Sequence, residues 1–563
     1  MYIDIIGTYL VLFLKYLIFY AVIYLVGKFV FLRILKFTKE NNQIQNVLYT
    51  RKEYLYPLIG IVIIGNILII YNFFLPLDYS HYLLVALFLI SLSSIKEFKW
   101  SVKQYLNVDN LFSYLLIPSI LVISTYDTSF NYDAGYYHLL HQNWLRESNL
   151  IIGTVNIFWP LGMSSIYEYL SAALWFDKSF VLLHLLNVYF IHFFYLFLKD
   201  NIFNKENQTL MNISLVILGF SILDNFGYGG GRNGFIYIQG VTKQDITVGI
   251  LFWFLSIVII KKIVDKDTKT YEIAILSLLA FFVYEIKVSG VFVFIIYAAL
   301  IFLIIKNKFI PFGKLVYLHI PVLFFAIVWF AKSILTTGCL IFPVDMTCIN
   351  NTFDWYVSGS TWSYEYHTKL SSKAYDFTIP FTQWISETGA FEFRKQVFLN
   401  FSFSLIILFI FKLLFFGPNT QKKEITIITS TYIVINVVYL FFFGPIPRYL
   451  IGICLVITSM IGFYAGKPRY QLPKTINYFL IFLSVFLLVR STSYTSLMAN
   501  AEFRIFDPRT SEEINEVIGF VQISDNWVTL PYGDQCWSNI KCIPQGDGVI
   551  FKEKGIFKTA YKP

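Results

Sequence analysis

Apolar runs of bilayer-crossing length follow one another along most of this chain, broken by short polar stretches. Fourteen runs stand out, at residues 5–32, 54–77, 82–95, 111–124, 181–198, 210–223, 246–260, 273–284, 288–305, 315–330, 398–416, 425–443, 449–464 and 478–489. A helix needs about 20 mostly apolar residues to cross a bilayer. The pattern therefore predicts an all-α, polytopic integral membrane protein with about 14 transmembrane helices. It divides the chain into N-terminal helices (1–124), a polar loop with interfacial helices (125–176), central helices (177–330), a long loop (331–397), C-terminal helices (398–489) and an extramembrane tail (490–563). The stretch 159–175 is apolar enough to cross but carries Pro160, Gly162, Ser164, Ser165 and Glu168. Counting it as a crossing would invert everything downstream, so it reads as a helix lying at the interface.

Alternating the crossings places the basic residues consistently. Lys36, Lys39, Arg51 and Lys52 fall on one side, as do Lys96, Lys99 and Lys103, Lys261 and Lys262, Lys306 and Lys308, Lys422 and Lys423, and Lys467 and Arg469. The positive-inside tendency makes that side cytoplasmic. The opposite side receives Asp133, a glycine-rich loop at 227–234, the tail and four of the five cysteines. Cys339 with Cys348, and Cys536 with Cys542, are close pairs in polar loops and predict two local disulfides in an oxidising compartment. Neither pair has the spacing or the nearby histidine of a zinc site. Cys454 lies alone in an apolar run. The first ten residues lack a basic start and a small-residue cleavage site, so no cleavable leader is expected.

Composition narrows the picture further. The 563 residues are 57% hydrophobic and 14% charged, with mean hydropathy +0.62, which excludes a soluble globular protein. The net charge of +9 is spread over short loops without a continuous stripe, which argues against nucleic acid. The 59 Phe and 40 Tyr suit lipid-facing bulk and interfacial belts.

Chemistry concentrates between 124 and 175, where Asp127, Asp133, His138, His141, Arg146, Glu147 and Glu168 sit between apolar runs. A carboxylate costs several kcal/mol in hydrocarbon, so these groups belong at a membrane face or in a wet cavity. Residues 133–146 predict an amphipathic helix with Tyr137, Leu140, Trp144 and Leu145 on its apolar stripe. Asp133 serves either as its N-cap or as a carboxylate that takes a proton from an attacking hydroxyl. His138 and His141, three apart, share a face and can hydrogen-bond a substrate or ligate a metal. Candidate cations for a phosphate are Arg232, Lys243, Lys287, Lys332 and Arg448. Arg448 leads them, because G-P-I-P-R sets a guanidinium at a stiffened turn and guanidinium grips phosphate bidentately. Lys287 has Glu285 two residues away, so the simplest expectation there is a mutually neutralising pair. G-Y-G-G-G-R-N-G lacks the G-K-[ST] of a P-loop and reads as a flexible loop over a cavity.

The run N-Y-D-A-G-Y-Y-H-L-L-H-Q-N-W-L, followed by G-T-V-N and P-L-G-M-S-S, resembles bacterial polytopic membrane proteins with a Y-D-x-G-x-Y-H signature, which look related to the GT-C glycosyltransferases. The likeness extends to Y-E-I-K-V-S-G at 284–290, T-G-C-L-I-F-P-V at 337–344 and P-I-P-R-Y at 445–449. It implies a multi-pass protein of the bacterial inner membrane whose active site faces the periplasm. It implies transfer of a sugar from a polyprenyl-phosphate carrier to a glycan or lipid acceptor, with membrane lipids around it. Asp133 and His138 are then the catalytic candidates, and Tyr137, His141, Trp144, Arg232, Lys287 and Arg448 the substrate-binding ones. The acidic loop follows the fourth run rather than the first and has no paired acids, which leaves a divalent metal open. Two alternatives accompany this expectation: a polysaccharide polymerase or ligase that takes a lipid-diphosphate repeat, and a transporter of lipid or sugar.

Overall fold

The computed structural model describes residues 2–38, 53–93, 107–127, 130–175, 181–204, 207–226, 234–349, 353–356, 378–387, 394–418, 423–443, 446–470, 472–490, 521–524, 527–529, 535–543 and 549–562. The protein is mostly helical, and each of the fourteen predicted runs coincides with a helix. Among the described residues nine helices are long and apolar enough to cross a membrane. They are α1 (Ile6–Phe37), α2 (Leu55–Asn72), α4 (Val108–Thr125), α7 (Leu182–Phe203), α8 (Gln208–Phe226), α9 (Asp245–Asp265), α11 (Val288–Lys306), α12 (Phe312–Thr337) and α13 (Arg394–Phe415). The remaining predicted runs form α3 (Ser80–Leu92), α10 (Thr270–Ile286), α14 (Lys423–Phe443), α15 (Pro447–Phe463) and α16 (Lys474–Val489).

The all-α class holds, with three small antiparallel pairs added to it: β1 (Phe416–Pro418) with β2 (Ala465–Pro468), β3 (Val521–Ser524) with β4 (Trp527–Thr529), and β5 (Ile550–Lys554) with β6 (Phe557–Tyr561). One expectation needs correction. The stretch 159–175 is not a crossing, as expected, but neither does it lie on a surface. It forms a tight turn at Trp159–Met163 and α6 (Ile166–Leu174), nine residues long and buried on nearly every side. Ser165 starts α6 by accepting a hydrogen bond from the Tyr167 N–H at 3.1 Å. The same hydroxyl donates to Ile286 O at 2.7 Å, which ties the short helix to the end of α10.

The α1–α2 crossing shows how closely the bundle is packed. A Cβ on Gly27 would lie 1.6 Å from Tyr56 O, and one on Gly60 would lie 2.0 Å from Ile23 O. Backbones meet because both residues lack side chains, as small residues allow between helices in lipid. Gly27→Val should therefore force the helices apart and cost about 3 kcal/mol or more. A sharp fall in folded yield and in thermal midpoint is the expected result; unchanged melting would show that the two helices do not meet there.

Three helices share a polarity that positions the site. α9 runs from Asp245 to Lys261, Lys262 and Asp265, α11 runs to Lys306, and α15 starts at Pro447 and Arg448. Their starting ends meet the segment 130–163, and the tail docks on that segment. Trp537 N–H donates to Gly135 O at 2.9 Å, and Ala560 N–H to Ile152 O at 2.8 Å. Asn156 Nδ2 donates to Trp355 O at 2.8 Å and Ala560 O at 2.9 Å. Both expected disulfides, Cys339–Cys348 and Cys536–Cys542, are formed at this end, and Cys454 is free and buried. Chain segments assigned to one side by alternation are thus gathered at one end of the bundle.

Candidate functional site

The Asp133 segment does not form a plain α-helix. Residues Ala134–His138 make a π turn, closed by the Leu139 N–H on Ala134 O, before α5 (Leu139–Glu147) begins. In an α-helix residues five apart point about 140° from one another. The wider turn brings Asp133 and His138 to the same wall of one cavity. Gly135 permits the turn to lie against the tail: a Cβ there would meet Gln535 Oε1 at 2.6 Å and the Trp537 ring at 2.8 Å.

That cavity has a volume of about 630 Å³. One wall carries Asp133, Tyr137 and His138. The loop before α9 contributes Lys243 and Gln244, and α9 begins with Asp245. The α10–α11 turn adds Glu285, Lys287 and Ser289, α12 adds Trp329 and Lys332, and the start of α15 adds Arg448 and Tyr449. Phe342 and Pro343, inside the Cys339–Cys348 loop, close another side, with Phe342 against Gly162.

Charges are interleaved at the mouth. Lys243 contacts Asp133 directly, and Arg448 Nη1 stands 3.9 Å from the same carboxylate. Lys287 contacts Asp245, and Arg448 Nε stands 3.7 Å from Asp245. The Lys287 ammonium lies 4.0 Å from the Tyr449 ring centroid and the Arg448 guanidinium 5.4 Å. Burial works against ionisation of Asp133, but Lys243, then His138 and Arg448, outweigh it and hold the carboxyl below its usual range. A carboxylate so held organises cations and has little affinity for a proton. Burial and the nearby Arg448 in turn lower the proton affinity of Lys243. The expected Lys287–Glu285 pair does not form. Glu285 turns inward and accepts from Asn66 Nδ2 at 3.1 Å, while Lys287 goes to Asp245.

A narrow crevice of about 40 Å³ continues from this mouth. It shares Asp245, Lys287, Ser289, Tyr439, Arg448 and Tyr449 with the large cavity, then passes between Val248, Phe252, Phe292 and Ile453. A polar chamber thus opens directly onto an apolar slot, with the cations at the junction.

Behind the wall, Glu168 of α6 holds both histidines. Its Oε1 is 2.6 Å from His138 Nδ1, and its Oε2 contacts His141 Nδ1. Burial opposes the charge on Glu168, but His141 and the hydrogen bonds from both rings hold the carboxyl down to about 2. Both Nδ1 atoms therefore carry hydrogen and donate. Deeper still, Lys332 lies 3.6 Å from the Trp329 ring centroid.

The residues singled out from sequence divide as follows. Asp133, Tyr137, His138, Lys243, Lys287, Lys332 and Arg448 line one cavity. His141 sits behind it on Glu168. Trp144 belongs instead to a small apolar core under the tail, 5.6 Å from Phe551, so its expected substrate contact does not arise. Arg232 lies outside the described residues, with most of its glycine-rich loop. Asp245, Glu168 and Tyr449 were not singled out as site residues. Asp245 was legible as a carboxylate that opens an apolar run on the Asp133 side. Among the described residues no group of three or more His, Cys, Asp or Glu side chains is placed to hold a metal ion.

Fold and site together define a helical membrane protein with a charged chamber at one end of its bundle, opening onto an apolar slot. The chain belongs to a family described as Domain of unknown function (DUF8201), which matches residues 9–455. No curated protein and no solved structure matches it.

Proposed function

We propose that this protein is a GT-C-like glycosyltransferase that moves a sugar from a polyprenyl-phosphate carrier to a glycan or lipid hydroxyl. On this reading all fourteen apolar helices cross a bacterial inner membrane, and the chamber faces the periplasm. The observation that carries it is the junction: Arg448 and Lys287 line both the polar chamber and the apolar slot, with Lys243 beside them on the chamber side. A carrier's phosphate suits that position, its sugar the chamber and its first isoprene units the slot. Guanidinium and ammonium together neutralise the charge that develops on the departing phosphate.

The fixed charges favour a phosphodiester over a diphosphate. Three cations, Lys243, Lys287 and Arg448, face two carboxylates, Asp133 and Asp245, leaving one net positive charge at the chamber mouth. A polyprenyl-phosphate sugar brings one negative charge, and a diphosphate-linked repeat brings two. Transfer from the monophosphate carrier is therefore the reading we hold over the polymerase or ligase. Full-length protein in nanodiscs, given polyprenyl-phosphate-linked sugars and an envelope glycan extract, should release polyprenyl phosphate. Movement of intact donor across the bilayer without cleavage would establish a transporter instead.

A further inference from the structure

We infer that His138, with its tautomer fixed by Glu168, is the base that takes the proton of the attacking hydroxyl. This rests on the transferase reading and assigns its proton transfer to an imidazole rather than to Asp133. The geometry is that of a dyad. Glu168 accepts from His138 Nδ1 at 2.6 Å and is itself anchored by His141 through its other oxygen. With hydrogen fixed on Nδ1, the lone pair lies on Nε2. No described residue engages Nε2, and it is not among the buried nitrogens that lack a partner, so it opens onto the cavity that His138 lines.

The surroundings separate the roles of the two candidates. Asp133 is bound by Lys243 and faced by Arg448, so its charge is spent on cations. The charged groups near His138 are Asp133 on its own turn, Glu168 on α6 and His141 on α5. Lys243 and Arg448 lie beyond Asp133, and Lys332 of α12 lies within electrostatic range of Glu168. Both carboxylates stabilise an imidazolium formed at His138. In the step itself, the acceptor O–H proton passes to Nε2 as the acceptor oxygen bonds to the anomeric carbon. The bond from that carbon to the phosphate oxygen breaks, and its electron pair leaves on polyprenyl phosphate at Lys287 and Arg448. The imidazolium then returns its proton to water. His138 is a catalytic residue in this scheme and Glu168 a positioning residue.

His138→Asn tests the assignment, because the Asn amide keeps a donor where Nδ1 stood and removes Nε2. With the polyprenyl-phosphate donor, kcat should fall about a hundredfold to ten-thousandfold, KM for the donor should hold, and the acidic limb of the kcat profile should vanish. Asp133→Asn should keep that limb. Added imidazole should restore part of the turnover of His138→Ala, a gain that needs folded protein and that a structural role would not produce. Glu168→Gln should lower kcat more than KM, and Glu168→Asp should recover part of it. Transfer by the wild type and equally by His138→Asn, with the limb intact, overturns the dyad and leaves the transferase. Absence of transfer by the wild type overturns both.

Discussion

Arg448→Ala should cut kcat/KM for a polyprenyl-phosphate donor by on the order of a hundredfold, with the fold intact. A guanidinium presents two parallel donors to a phosphate, each charge-assisted bond contributing about 1.5–3 kcal/mol. About 3 kcal/mol corresponds to on the order of a hundredfold in rate. The loss should be larger than for Lys287→Ala, because Lys287 can offer only a point charge and already contacts Asp245. Arg448→Lys should recover only part of the rate for the same reason. Arg448 is 35% exposed, and its removal leaves Asp133 in contact with Lys243 and Asp245 in contact with Lys287. Steady-state kinetics with thermal unfolding on the same samples separates the two effects. An unchanged kcat/KM at an unchanged melting point would remove the phosphate from this junction.

Much of this arrangement could be read from the chain, because a bilayer imposes a coarse and regular pattern. Apolar length located every long helix among the described residues, and the alternation of Lys and Arg grouped segments hundreds of residues apart, such as 133, 243, 287 and 448, which meet at one end of the bundle. The disulfides followed from the close spacing of each cysteine pair in a polar loop. Side-chain pairing was not legible. Lys287 and Glu285 are two apart in sequence, yet the extended backbone at Lys287 turns them to different partners, Asp245 and Asn66. His138 was singled out beside Asp133, but their placement on one wall was not legible. Spacing five from Asp133 reads as opposite faces on an α-helix, and only the π turn brings the two together. Trp144 was misplaced for a related reason. Its stripe does bury, but against the tail hairpin β5–β6, whose docking no local pattern announces. Glu168 was visible as a carboxylate in an apolar stretch and served to argue against a crossing. Its two imidazole partners lie 27 and 30 residues away and required the fold.

Glu168 also carries the larger stability effect expected at the site. Glu168→Ala should destabilise the protein by about 3–5 kcal/mol, because it strips the acceptor from two buried imidazoles at once. The pH dependence has a fixed sign. The folded carboxyl is held down to about 2 from an ordinary 4.5, so its contribution is complete above pH 4.5 and is lost as the pH falls toward 2. That displacement corresponds to on the order of 3 kcal/mol. Denaturant unfolding in detergent should show the wild type and Glu168→Ala far apart at neutral pH and converging over that window. Glu168→Gln should be milder in stability, since its amide oxygen still accepts from one ring. The amide nitrogen then faces the other ring as a donor and forces it to the opposite tautomer, with its lone pair on Nδ1. If that ring is His138, Nε2 loses its lone pair, and turnover should fail although the protein stays folded. Parallel unfolding curves for wild type and Glu168→Ala between pH 7 and pH 2 would show that Glu168 is not the buried anion on which both histidines are hung.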